Sequence, residues 1–154
     1  MRIDELRGST PYPYVWSNHT SAVFDISEKY CKVNFFEISP EKYDVSFSMF
    51  KKGVNKKYGN VGITGESGLG ASKVFATVIT IIKEFIKNND VISLEFAADV
   101  KEQSRIKLYN SLIRWFGEET INGHRYRVRR YSGPVRTPYY VFYSIERIPD
   151  NETL

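Results

Sequence analysis

Between Asn60 and Ala98 the chain passes through a short apolar segment, a glycine-rich stretch, a long amphipathic segment and a second apolar segment. This succession constrains the fold more than any other feature. "NVGIT" (60–64) has strand character, and "VISLEFAA" (91–98) is a nearly continuous apolar run of strand length. Between them, Val74, Val78, Ile81, Ile82 and Phe85 recur at three- and four-residue spacing, the period of one buried helix face. Asn88, Asn89 and Asp90 end the pattern. Two strands joined through one helix lie parallel, and the crossover is right-handed. The continuous apolar run of 91–98 further predicts a strand covered on both faces.

The preceding segment reads differently. "KVNFFEI" (32–38) and "YDVSFSMF" (43–50) flank "SPEK", a turn sequence. Val45, Phe47 and Met49 alternate with Asp44, Ser46 and Ser48, as in a strand buried on one side. These strands form an antiparallel meander. Downstream, Ile106, Tyr109, Leu112, Ile113 and Phe116 mark a second helix, with Asp99 and Glu102 as a capping pair. "HRYRVRRY" (124–131) alternates, and "YYVFYSIE" (139–146) is a final strand. Pro11 and Pro13, without periodicity around them, make residues 1–20 an irregular arm. The expected organisation is one α+β domain over 21–148 with a polar tail at 149–154. Its sheet is mixed and mainly antiparallel, with helices on both faces.

Composition narrows the function. A chain of 154 residues suits one domain with a real core. Its single cysteine, Cys31, excludes an internal disulfide, and one Cys with two separated histidines, His19 and His124, offers no zinc pattern. No apolar run approaches the length needed to cross a bilayer, and "MRIDELRGST" lacks the apolar core of a signal peptide. These features predict a cytoplasmic protein without metal or membrane partner. A formal charge of +4 is a mild bias toward anionic partners.

The glycine stretch "GITGESGLGASKVFATV" (62–78) opens the first helix. A helix start presents unpaired N–H groups and the positive end of the helix dipole. Ser67, Gly68, Leu69, Gly70, Ala71 and Ser72 therefore suit a phosphate seat; the alternative is a tight turn that holds nothing. Gly65 and Gly70 have the spacing of a nucleotide P-loop, but Ala71 stands where its lysine belongs. An antiparallel meander also comes first, and too few strands follow for a five-stranded parallel core.

The order of elements and "GESGLG" (65–70) resemble the GNAT family of acetyltransferases, in which [QR]-x-x-G-x-[GA] precedes a helix. Gly65 replaces the family's Gln or Arg, its Asn near the start of the later helix is not evident among Glu102 and Gln103, and "RWFGEE" stands in place of its "GF". The resemblance implies acetyl-CoA as donor, its pyrophosphate on the backbone of residues 67–72, and a primary amine as acceptor by direct transfer. It also implies Tyr109, in "SRIKLYNSL" (104–112), as the acid that protonates the departing thiolate. Tyr109 equally lies on its helix's buried stripe. Glu37, Glu66 and Glu95 are the candidates for the base that deprotonates the amine, each equally readable as a solvated carboxylate. "GLGASKVFATV", "EFI" and "SRIKLY" are also similar to small uncharacterised proteins of tailed bacteriophages. That likeness implies a phage origin and a host cytoplasm and supplies no activity. The alternative function, a non-catalytic protein on the same scaffold that binds a host protein or nucleic acid, is favoured by the replaced Gly65 and the missing Asn.

Arg125, Arg127 and Arg129 on one side of their strand, with Arg130, Arg136 and nearby tyrosines, form the strongest basic feature. Such a surface suits nucleic acid; an edge strand kept soluble by charge is the simpler expectation. Cys31 reads as a small packing residue.

Overall fold

The amphipathic segment is a helix, and its packing sets the rest of the molecule. The computed structural model describes residues 10–52, 69–99, 101, 103–116, 120–132 and 140–149. Helix α1 spans Leu69–Asn88. Val74, Val78, Ile81, Ile82 and Phe85 are all buried. Asn89 Nδ2 donates to the Phe85 carbonyl at 2.9 Å and closes the last turn, so the expected stop signal acts through a side-chain cap.

Eight strands among the described residues form the sheet. They are β1 (Tyr14–Asn18), β2 (Ser21–Ile26), β3 (Lys29–Ser39), β4 (Lys42–Lys51), β5 (Ser93–Asp99), β6 (Thr120–Ile121), β7 (His124–Ser132) and β8 (Tyr140–Arg147); helix α2 (Gln103–Phe116) lies between β5 and β6. The spatial order is β1-β2-β3-β4-β5-β8-β7-β6. Every neighbouring pair is antiparallel except β4 and β5. The mixed, mainly antiparallel sheet is thus observed. The parallel partner of β5 is β4, whereas the reading of 60–64 as that strand lies outside the described residues.

Alternation along β3 and β4 sends Cys31, Val33, Phe35, Tyr43, Val45, Phe47 and Met49 into the core. Phe85 of α1 stacks on Phe35 with centroids 3.9 Å apart and meets Tyr43 edge-on at 5.0 Å. Tyr109 of α2 packs on Phe47 and Phe96 at 5.9 and 5.3 Å. Because Phe35, Tyr43, Phe47 and Phe96 share one face, both described helices lie on that face. The cause is topological: two right-handed crossovers that advance in the same direction put their helices on the same side.

Two expectations are corrected. Residues 14–18 are a strand instead of an irregular arm, paired with β2 from Tyr14↔Phe24 to Asn18↔Ser21. This edge is held by long-range contacts. Trp16 Nε1 donates to Glu84 at 2.8 Å, Tyr14 Oη donates to the same carboxylate, and Tyr12 N donates to Thr77 Oγ1 at 2.8 Å. Strand β5 is buried along its helix-covered face, and on the other face burial falls away from Ser93 toward its carboxyl end. Leu94, Phe96 and Ala98 are buried, while Glu95 is half-buried and Ala97 exposed. Its second face borders the opening described next.

Candidate active site

Strands β4 and β5 pair for only three steps, Lys42↔Ser93, Tyr43↔Leu94 and Asp44↔Glu95. Beyond them β4 continues to Lys51 and β5 to Asp99, so the two strands separate toward their carboxyl ends. On that side no described strand pairs with β4. In an open α/β sheet a ligand crevice forms outside the carboxyl ends of the strands, where neighbouring connections diverge.

The separation opens a cavity of about 490 Å³, within the range of small-molecule sites. Phe36, Asp44 and Glu95 line it from the face that carries neither described helix. Phe47, Phe96 and Tyr109 close its far side. The gap between the strands therefore gives this open face access to a tyrosine mounted on a helix behind the sheet. Tyr109 is 1% exposed, ringed by Phe47, Phe96 and Tyr143. Its helix also engages β8: Tyr143 Oη donates to Asn110 Oδ1 at 3.1 Å, and Arg130 lies over the Tyr143 ring at 5.8 Å. Burial raises the Tyr143 hydroxyl above the usual tyrosine range, and the Arg130 charge pulls the other way.

Of the phosphate-seat residues, Ser67 and Gly68 lie outside the described residues, and Leu69–Ser72 are the first turn of α1. This turn has no acidic side chain of its own to offset the positive end of the dipole. The helix runs antiparallel to β4. Near its start Lys73 lies over the Tyr12 ring, 4.6 Å from the centroid, and Tyr12 stacks on Phe24, which is in register with Cys31 and through it with Met49 late in β4. Near its end Phe85 meets Tyr43 early in β4. The start of α1 is accordingly level with the open end of the strand pair.

The candidate bases separate. Glu37 is opposite Tyr43 on the helix-covered face and accepts a hydrogen bond from the Tyr43 hydroxyl; burial first, then this carboxylate, raises the Tyr43 pKa. It does not line the cavity. Glu66 lies outside the described residues. Glu95 lines the cavity directly beside Asp44. Sequence reasoning passed over Asp44 because it is the outward polar position of a half-buried strand. The short parallel register is what brings it beside Glu95.

The arginine strand keeps the predicted alternation, with Tyr126 buried and Arg125 and Arg129 exposed. Two of the three charges are engaged. Glu146 Oε2 lies 3.6 Å from Arg127 Nε and 3.7 Å from Arg129 Nη1. Arg136 is outside the described residues. Cys31 is buried, and His19 is exposed beside the β1–β2 turn. Among the described residues no three His, Cys, Asp or Glu side chains gather as a metal site, and no helix is long and apolar enough to cross a membrane.

No protein-family model matches the chain, and no curated protein matches it. Among solved structures it is similar to the crystal structure of an acetyltransferase of the GNAT family from Streptococcus pneumoniae. The likeness has 10% identity and a TM-score of 0.41, over 86% of this chain and 70% of that one.

Proposed function

We propose that the protein transfers an acyl group from acyl-CoA to an amine, within the opening between β4 and β5. The observation that carries this reading is that the strands part after Asp44 and Glu95 and leave Tyr109 at the back of the cavity. The features around the opening fit the donor. An extended amide chain can lie along the part of β4 that has no described strand partner, and the first turn of α1, Leu69–Ser72, offers N–H groups to a pyrophosphate. A thioester at the inner end of such a chain lies toward Tyr109.

The chemistry follows from charge. The amine nitrogen attacks the thioester carbonyl, the C–N bond forms and the C–S bond breaks. Tyr109 gives its phenolic proton to the leaving sulfur and regains one from solvent. Glu95 takes the proton that the amine sheds. Each transfer replaces a high-energy ion with a neutral group. The alternative reading, a non-catalytic nucleic-acid binder, is weakened by the ion pairs that Glu146 makes with Arg127 and Arg129.

Two measurements test the proposal. Acetyl-CoA should raise the melting temperature in proportion to the logarithm of its concentration, and a panel of amines should release free thiol from it only with the protein present. No thermal shift at millimolar acetyl-CoA rejects the donor. A shift without thiol release across the panel rejects the transfer.

A further inference from the structure

Asp44 and Glu95 are directly opposite each other at the last paired step of β4 and β5, on the same face, and both line the cavity. Like charges at opposed positions in a sheet repel. Neither carboxylate makes a hydrogen bond or ion pair with another described residue. The next side chains in the same row across the sheet are Ser144 and then Arg129, and Arg129 is already engaged by Glu146. On the other side of Asp44, its register partner Phe36 is 59% exposed and also lines the cavity. The closed end of the opening is therefore two adjacent negative charges beside an exposed aromatic ring.

This combination selects among cations. A divalent metal ion needs six or more oxygens or a fixed octahedron, and among the described residues only two carboxylates converge here. An organic ammonium suits the site, because its charge meets the carboxylates and its methylenes lie on the ring. One charge is not enough. When Glu95 takes the proton of a reacting monoamine, Asp44 remains without a counter-charge. With a second ammonium on the same molecule, Asp44 keeps a partner throughout.

Resting on the acyl-transfer reading, we infer that the acceptor is a small diamine or polyamine, with Asp44 holding the ammonium that does not react while the neighbouring amine is presented to Glu95. Asp44 is then a specificity-determining residue.

Binding is measured on the protein alone, without acyl-CoA, by calorimetry with spermidine and with butylamine as the singly charged control, at physiological ionic strength. Spermidine should bind about tenfold or more tightly than butylamine, the scale of one charge-assisted hydrogen bond. Asp44→Asn should remove that difference. Glu95→Gln should weaken both amines, and the melting temperature of each variant verifies that it is folded. Equal affinity for the two amines, an unchanged preference in Asp44→Asn, or displacement of spermidine by an equal concentration of magnesium chloride overturns the inference. If spermidine fails while acetyl-CoA still raises the melting temperature, the acceptor class is wrong and acyl transfer stands. If both ligands fail, both readings fall.

Discussion

Phe47 and Phe96 stack with centroids 6.0 Å apart and an interplanar angle of 11°, although they sit on strands that no longer share hydrogen bonds. Their rings, with Tyr109 against both, replace the missing backbone ladder and form the floor of the cavity. The opening is held apart by a packed aromatic layer. Truncating Phe96 to Ala should therefore cost about 3–5 kcal/mol, the usual penalty for removing a buried aromatic. Urea unfolding measures it. A loss below about 1 kcal/mol would mean that the floor collapses freely and the cavity is not maintained by this layer.

The same layer makes Tyr109→Phe a clean substitution, since the ring contacts with Phe47, Phe96 and Tyr143 survive. Under the proposed mechanism turnover should fall about a hundredfold or more, as when a general acid is lost. Acetyl-CoA binding and melting temperature should change little. An unchanged rate assigns Tyr109 to packing alone, and a large loss of stability assigns its hydroxyl to a structural hydrogen bond.

What the sequence made legible follows from distance along the chain. The face of α1 at Val74, Val78, Ile81, Ile82 and Phe85 and the alternation of Val45, Phe47 and Met49 are local periodicities, and both appear as read. Strand β1 was hidden because two prolines interrupt its approach and its anchors, Glu84 and Thr77, lie far along the chain. The opening was hidden for the same reason. Nothing local in "YDVSFSMF" or "VISLEFAA" says that the ladder stops after three steps, so Asp44 read as a solvated position and β5 as covered on both faces. Tyr109 was singled out from its helix, but the access that gives it a chemical role is a tertiary property.

Alkaline stability tests the buried hydroxyls. Tyr14, Tyr43, Tyr126 and Tyr143 are all raised above the usual value of 10.0, by burial first; Glu84 adds to the effect at Tyr14 and Glu37 at Tyr43. A raised folded pKa means that above pH 10 the unfolded chain loses these protons first. Stability is thus fully present below that pH and declines as pH rises beyond it. Melting temperatures between pH 8 and pH 12 should be flat up to about 10 and then drop. Tyr14→Phe should make the drop shallower, and an unchanged profile in that variant would remove Tyr14 from the set.

The last prediction concerns Glu146, which sits between Arg127 and Arg129 at 3.6 and 3.7 Å. These pairs are partly exposed, so each contributes little to stability, about 0–1 kcal/mol. Their larger effect is on the field, since one carboxylate offsets much of the charge that the strand shows to an anion. The native protein should therefore be retained only weakly by DNA or RNA at physiological salt. Glu146→Gln should strengthen retention and steepen its salt dependence, because newly freed guanidinium groups displace counterions from phosphate. The melting temperature should hardly move. Tight, saturable binding by the native protein would reverse this account: the arginine strand would then be a working nucleic-acid surface despite Glu146, and the acyl-transfer proposal would lose its advantage over the binding alternative.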